Sequence, residues 1–247
     1  MKQELIDLTK KVDVVLDLRK LVNVKAQVCL AIDGSGSMGS LYRNGTVQKT
    51  VDRISAVAVK FDDNQELDVL VFSNDVNEAK SATTEMFGNY VQQELLNKHL
   101  VQFSGTDYVP MINTVVENYF SSSVFQEVSG TILGALKNVF GFGKKEEPKH
   151  ISSSKSKSGF PIFCIIITDG ENSDKLETTK ILTAMQDKDI YWSFVGIGNE
   201  QFTYLRELAN KLPNVGFFDI HNLDEVKDME LYKQLLSNEV SEWFKKF

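Results

Sequence analysis

Short apolar runs that alternate with amphipathic segments are the feature that most limits the fold of this chain. Such runs are typical of strands buried on both faces, and the intervening segments have helical spacing. The six predicted strands are residues 24–32, 67–72, 76–80, 162–168, 190–197 and 215–220. Buried strands joined through helices form a parallel sheet with right-handed crossovers and helices on both faces. We therefore predict an α/β, doubly wound, Rossmann-like fold.

One strand departs from the parallel arrangement. The turn Ser73-Asn74-Asp75 is short enough for a hairpin, so residues 76–80 are predicted to form an antiparallel edge of an otherwise parallel, six-stranded sheet. The predicted helices are residues 46–61, 86–100, 108–120, 174–187, 201–211 and 228–247, the last of them as one amphipathic helix. Residues 1–23 are predicted as a helical N-terminal leader and residues 24–247 as one domain, interrupted by an insert at 121–160.

Composition narrows the range of partners and compartments. The net charge of −7 and the pI near 5.1 argue against nucleic acid, because duplex binding requires a broad cationic surface. No window has the roughly 20 apolar residues of a transmembrane helix, and the N-terminus has no apolar core of signal-peptide length. Cys29 and Cys164 lie inside strand-like runs and are interpreted as buried free thiols. A cytoplasmic location is expected.

The insert differs in character from the rest of the chain. Its first part, 124–142, is amphipathic and interrupted by glycines, and its second part, 144–159, is rich in Lys and Ser. Within it, residues 131–145 place an apolar face beside lysines, as surface-active helices do. Docking against the protein's own body is one interpretation. A membrane- or partner-binding arm over 124–158 is the other.

Three separate oxygen-rich loops are the strongest functional signal. The first is Asp33-Gly34-Ser35-Gly36-Ser37, which follows a predicted strand, and the second is Gly105-Thr106-Asp107. The third is Thr168-Asp169-Gly170, which follows another strand. In a doubly wound sheet, ligands bind at the carboxyl ends of the strands where the winding reverses, so these loops are expected to converge there.

The side chains in these loops favour a hard cation. Ser35, Ser37 and Thr106 supply hydroxyls, whereas Asp33 and Asp169 balance charge directly or through waters. Oxygen donors without nearby Cys or His suit Mg²⁺ or Mn²⁺, with Ca²⁺ a weaker candidate. Neutral hydroxyls leave the ion electrophilic, so an acidic side chain from a partner protein can complete its coordination.

The pattern Asp33-x-Ser35-x-Ser37, together with Thr106 and Asp169, resembles the metal-ion-dependent adhesion site of von Willebrand factor A domains. The resemblance implies this same sheet, Mg²⁺ or Mn²⁺, and an acidic ligand group. A narrower similarity is to the A domains of bacterial tellurite-resistance (Ter) proteins. The segments that carry it include Phe61-Asp62-Asp63, Gly105-Thr106-Asp107-Tyr108, Thr168-Asp169-Gly170-Glu171-Asn172 and Phe194-Val195-Gly196-Ile197-Gly198. A function in tellurite or stress resistance is the corresponding expectation.

Three functional hypotheses remain from the sequence. The first is a non-enzymatic, cation-dependent protein-binding module. The second is a Mg²⁺-dependent phosphotransfer enzyme with Asp33 as nucleophile, although the position two residues on, where such enzymes carry a second carboxylate, is Ser35. The third is nucleotide binding. It ranks last because the glycines around Asp33 form neither a G-x-G-x-x-G nor a Walker-type motif.

Overall fold

The computed structural model describes residues 2–62, 64–128, 130 and 154–247, and all six predicted strands lie in one sheet. The strands are β1 (Gln27–Asp33), β2 (Asp68–Phe72), β3 (Val76–Glu78), β4 (Ile162–Thr168), β5 (Ile190–Ile197) and β6 (Val215–Ile220). Their order is β3-β2-β1-β4-β5-β6. Neighbours pair in parallel except β2 and β3, which are antiparallel. The predicted fold class is confirmed.

Helices cover both faces of this sheet. They are α1 (Gln3–Arg19), α2 (Gly39–Arg43), α3 (Thr46–Phe61), α4 (Val109–Tyr119), α5 (Lys175–Ala184), α6 (Thr203–Lys211), α7 (Asp228–Leu235) and α8 (Asn238–Phe244). Alternate residues of β1 enter opposite cores: Leu30 and Ile32 pack with α1, α3, α7 and α8, whereas Cys29 and Ala31 pack with α4, α5 and α6. A strand buried on both faces therefore reads as a continuous apolar run.

The two cysteines face each other across the centre of the sheet. Cys29 of β1 is in register with Cys164 of β4, and both are buried free thiols, as predicted. Burial raises the pKa of the Cys164 thiol well above its usual value, and contact with Cys29 raises it further. Both effects keep the thiol protonated, so the pair behaves as core packing.

Two of the predicted helices have a different form. In place of one α-helix over 86–100, the structure has a 3₁₀ turn at Thr84–Met86 and a π-helical segment at Val91–Leu96. The side chains of α3 accept backbone N–H groups here, since Gln48 bonds Val91 (2.7 Å) and Asp52 bonds Gly88 (2.8 Å). These bonds replace the intrahelical ones at the start of the segment.

The predicted single helix over 228–247 is two helices. The first ends after Leu235, and α8 begins anew with Ser237 as its N-cap, whose hydroxyl accepts the Val240 N–H at 3.3 Å. A serine cap satisfies a donor that a continuous helix would have bonded internally. The break lets α8 turn its aromatic side chains into the core.

The N-terminal segment is helical and shares the main core. Helix α1 buries Leu5, Val12 and Val15 in the cluster that also contains α3. The Arg19 side chain donates to the Leu236 carbonyl at 2.8 Å, which joins the two ends of the described chain. The division into a leader at 1–23 and a domain at 24–247 stays a prediction.

The described ends of the 121–160 insert lie where β1 and β4 begin, away from the strand ends that carry the candidate site. The Lys157 N–H donates to the Tyr119 carbonyl at 2.7 Å, and the Ser158 hydroxyl donates to Gln27 at 2.6 Å. The predicted amphipathic face at 131–145 and most of the Lys/Ser-rich part lie outside the described residues. Within the described ranges, no helix combines the length and apolar character needed to cross a bilayer.

Candidate metal centre

The first loop begins at the buried end of β1. Asp33 is fully buried, and one of its carboxylate oxygens, Oδ1, accepts the Ser35 N–H at 2.8 Å. Gly34 packs so closely that a Cβ there would lie 2.8 Å from Val71 Cγ1, inside van der Waals contact. The loop therefore folds back over Asp33, and it does so because position 34 carries no side chain.

The second loop is joined to the first through the backbone. The Phe103 N–H donates to the Gly34 carbonyl at 2.8 Å, and the Gly36 N–H donates to the Ser104 carbonyl at 3.0 Å. Ser35 and Ser104 form an isolated parallel bridge. These bonds extend the parallel pairing beyond the carboxyl end of β1, and they fix the relative positions of the two loops.

The third loop brings a carboxylate to the serines. Asp169 follows β4, which is the direct neighbour of β1 in the sheet. Its Oδ1 accepts a hydrogen bond from the Ser37 hydroxyl at 2.7 Å, and the hydroxyls of Ser35 and Ser37 are 3.1 Å apart. The structure thus brings Asp33, Ser35, Ser37 and Asp169 into one hydrogen-bonded group.

Thr106 enters this arrangement through its backbone. Its carbonyl accepts the Ser173 N–H at 3.0 Å, which ties the second loop to the third. Among the residues that the structure describes, no hydrogen bond joins the Thr106 hydroxyl to the other four side chains. Its assignment as a ligand stays a prediction, supported by the position of its loop between the other two.

The glycines of the three loops are not required by a positive φ. Among the described glycines, positive φ occurs at Gly45, Gly88, Gly159 and Gly198, and none of these is in the three loops. Close packing is the reason instead. A Cβ at Gly105 would lie 2.8 Å from the Asn74 side chain, as one at Gly34 would meet Val71.

The electrostatics are those of two carboxylates with little compensating charge. Burial raises the pKa of the Asp33 carboxyl; hydrogen bonds from Ser35 and Thr168 oppose this, and the charge of Asp169 adds to it. Burial likewise raises the pKa of Asp169, against the hydrogen bond from Ser37. A cation bound at this point would offset both effects because it would favour the ionised carboxylates.

The donor set fits a hard divalent cation. Oxygens on adjacent corners of a Mg²⁺ octahedron are about 3 Å apart, given metal–oxygen distances near 2.1 Å. The 3.1 Å between Ser35 and Ser37 and the 2.7 Å between Ser37 and Asp169 match that spacing. The described residues contain no cluster of three or more His, Cys, Asp or Glu suited to a metal. A metal bound here would therefore depend on the hydroxyls.

Thr168 is a site residue that sequence reasoning missed. Its hydroxyl is buried and donates to Asp33 Oδ2 at 2.7 Å, while the Gly170 N–H donates to the same hydroxyl at 3.3 Å. Both oxygens of the Asp33 carboxylate are thus held in place. Thr168 directly precedes Asp169 at the end of β4, and that adjacency was the available signal.

Replacing Thr168 by valine is expected to destabilise the metal-free protein by about 1.5 kcal/mol, because a buried carboxylate oxygen loses its donor while the volume is kept. The free energy of unfolding in urea measures the loss. Thr168→Ser retains the hydroxyl and should recover most of it. Equal stability of the valine and serine variants would contradict the assignment.

Asp107 lies two residues before α4, but its side chain does not cap that helix. Its carboxylate instead accepts hydrogen bonds from Asn74 (2.8 Å) and Ser173. The helix α4 is capped from outside by Asp174, whose two oxygens accept the N–H groups of Tyr108 (3.0 Å) and Val109 (2.7 Å). Because Asp174 is 65 residues from the start of the helix that it caps, no local sequence pattern predicts this contact.

The residues that follow Asp169 support the helices around the site. Glu171 pairs with Lys175 and accepts the Tyr204 N–H at 3.1 Å; these contacts lower its pKa, the Lys175 bond most. Asn172 is buried, and its amide donates to Asp174 (2.6 Å) and Thr178 (3.0 Å). Both side chains are thus bonded to the helices that follow.

Comparison with known proteins gives consistent matches. A family model described as vWA-TerF-like, the vWA found in the TerF C terminus, matches residues 25–128 and 140–247. The uncharacterized protein YcbR of Bacillus subtilis (strain 168) is 36% identical over 246 residues, covering 97% of this chain and 86% of the relative.

Solved structures with the same fold include proximal thread matrix protein 1 from the mussel byssus. One crystal form has a TM-score of 0.54 at 17% identity, covering 86% of this chain and 47% of the mussel protein. Another structure of it, with a zinc-occupied MIDAS motif, has a TM-score of 0.52 at 18% identity over the same shares. This chain spans about half the length of the mussel protein, and at such identity the likeness establishes the fold.

Proposed function

This chain belongs to the vWA-TerF-like family, and from that premise we propose that it is a non-enzymatic module that binds a protein partner through a divalent cation. The observation that carries the proposal is the meeting of three loops in one group of oxygens, with Ser35 and Ser37 3.1 Å apart and Ser37 2.7 Å from Asp169. The zinc-occupied MIDAS motif of the mussel protein supports the divalent cation in this proposal.

In this proposal, Ser35, Ser37 and Thr106 bind the ion through their hydroxyls. Asp33 and Asp169 balance its charge, directly or through waters. When bound, the ion supplies an electrophilic position for a carboxylate, and Mg²⁺ or Mn²⁺ is the expected cation. The partner is a protein that presents an acidic side chain. The family's link to TerF supports placing the module in a tellurite- or stress-resistance system.

The phosphotransfer alternative is disfavoured by the surroundings of Asp33. A nucleophilic carboxylate needs a free oxygen exposed to the substrate. Asp33 is fully buried, and its oxygens accept hydrogen bonds from Ser35 and Thr168. Its position suits the support of a metal loop better than attack on a phosphate.

The proposal is tested by comparing the proteins retained by the immobilised chain from an extract of its source organism, with Mg²⁺ and with excess EDTA. Wild type is expected to retain a partner in Mg²⁺ but not in EDTA. Ser35→Ala is expected to retain none in either condition while keeping the wild-type circular dichroism spectrum. Retention of the same partner in EDTA would refute cation dependence.

A further inference from the structure

We propose, as a refinement that rests on the proposed function, that Phe103 contacts an apolar side chain lying next to the carboxylate that the partner gives to the cation. The partner surface is therefore an acidic residue beside an aromatic or aliphatic one. The support comes from the conformation of Phe103, its attachment to the metal loop, and the charges on either side of it.

Phe103 combines a rare backbone conformation with a partly exposed ring. Its φ of 54° lies in the left-handed region, which non-glycine residues rarely adopt, and its side chain is 42% exposed. Backbone strain of this kind persists where surrounding contacts enforce it, and it is frequent at binding sites. Here the residue with the strained backbone carries an aromatic ring that is partly exposed to solvent.

The ring is attached to the loop that carries the proposed ligands. The Phe103 N–H bonds the Gly34 carbonyl at 2.8 Å, and its ring lies over Gly39, where a Cβ would be 3.6 Å from Cε1. Tyr42 supports the ring edge-on, with centroids 5.9 Å apart. Gly39 follows Ser37 by two residues, so the backbone beneath the ring is within about 7.6 Å of the Ser37 Cα, two Cα–Cα steps.

Charge distinguishes the two sides of the second loop. On the side of Phe103, the exposed Arg43 places its guanidinium 3.2 Å from the Cβ position of Gly39. At the other end of this loop, Asp107 accepts a hydrogen bond from Asn74, and Asp75, the residue after Asn74, is exposed. An acidic partner segment is therefore attracted to the Phe103 side and repelled from the Asp107 side.

Fixed aromatic rings are effective anchors. Aromatic side chains are enriched among the residues that dominate binding, and a ring already held in place loses little conformational entropy on contact. Phe103 meets both conditions because its backbone is bonded to Gly34 and its ring rests on Tyr42. In this proposal the cation binds any carboxylate, and Phe103 favours those that have an apolar group beside them.

Two small carboxylates test this without knowledge of the partner. Propanoate carries only an aliphatic stub, whereas 3-phenylpropanoate adds a ring within reach of Phe103. Each is titrated by ¹H–¹⁵N NMR into the whole chain saturated with Mg²⁺. We expect 3-phenylpropanoate to bind about tenfold more tightly, as one aromatic contact predicts. In Phe103→Asn the two affinities should become equal, because asparagine tolerates the left-handed backbone but has no ring.

Two further variants serve as controls. Phe103→Trp should restore the preference for the phenyl compound, and Leu18→Ala, at a 60% exposed leucine on α1, should leave it unchanged. A preference that persists in Phe103→Asn would overturn the inference. Equal binding of the two compounds to wild type would also overturn the inference, but it would not contradict the proposed cation site. Absence of Mg²⁺-dependent binding of propanoate would overturn the proposed function, and the inference with it.

Discussion

Asp33→Asn is expected to abolish the stabilisation of this protein by Mg²⁺. A ligand that binds only the folded state at 100 times its dissociation constant stabilises it by about 2.7 kcal/mol. Asparagine has the shape of aspartate, accepts from Ser35 N–H and donates to Thr168 Oγ, but removes a charge that balances the cation. The free energy of unfolding in urea, with Mg²⁺ and with EDTA, measures the difference, which should fall to nearly zero.

The metal-free state gives the internal check for this variant. Burial raises the pKa of Asp33, so the carboxyl contributes stability at low pH that is lost as the pH rises through its folded-state pKa. At neutral pH the ionised group therefore destabilises the metal-free fold. Asp33→Asn should be no less stable than wild type in EDTA, and Asp187→Asn, at an exposed carboxylate, should keep the Mg²⁺ response. An unchanged response in Asp33→Asn would contradict the proposed role.

Phe244→Ala is expected to destabilise the protein by about 3–5 kcal/mol, as large-to-small substitutions of buried aromatics do. Phe244 is fully buried and contacts the rings of Trp243, Phe61 and Phe163, with centroids 4.9, 5.0 and 5.8 Å away. The cavity would open beneath the start of β4, at the end of the sheet away from Asp169. Urea unfolding gives the loss of stability, and calorimetry gives the Mg²⁺ affinity, which should not change.

Phe247 offers a matched comparison three residues on. Its ring also contacts Trp243, at 5.0 Å, but it is 48% exposed. Phe247→Ala should therefore cost about 1 kcal/mol or less, since little buried area is lost. If both variants lost the same stability, or if Phe244→Ala weakened Mg²⁺ binding, the aromatic cluster would not be the local packing unit that its contacts indicate.

The centre of the sheet was predictable because its strands are buried on both faces. Runs such as Ile162–Thr168 and Ile190–Ile197 have no polar alternation, and their predicted bounds are those of the structure. The helices were harder where other elements supply their caps. The break before α8 coincides with a single serine cap, and the first N–H of the π-helical segment at Val91–Leu96 is bonded by Gln48 of α3. The hydrophobic periodicity of a sequence gives no information about such contacts.

The site was predictable to the extent that its residues share a recognisable spacing. Asp33, Ser35, Ser37 and Asp169 were named from the sequence and lie together in the structure. The side chains that hold them, Thr168 on Asp33 and Asp174 on the start of α4, were not. A single hydroxyl or carboxylate in a polar loop has many possible partners, and the sheet order decides which one it meets.

In the proposed function, the bound cation keeps a coordination position open to an outside carboxylate. Mn²⁺ makes this measurable, because water that exchanges on the bound ion enhances the relaxation of solvent protons. We expect one Mn²⁺ per chain, absent in Ser35→Ala, with strong relaxation enhancement that falls when propanoate is added. An ion with no exchangeable water, or an enhancement that propanoate does not reduce, would mean that the protein closes the site with its own groups.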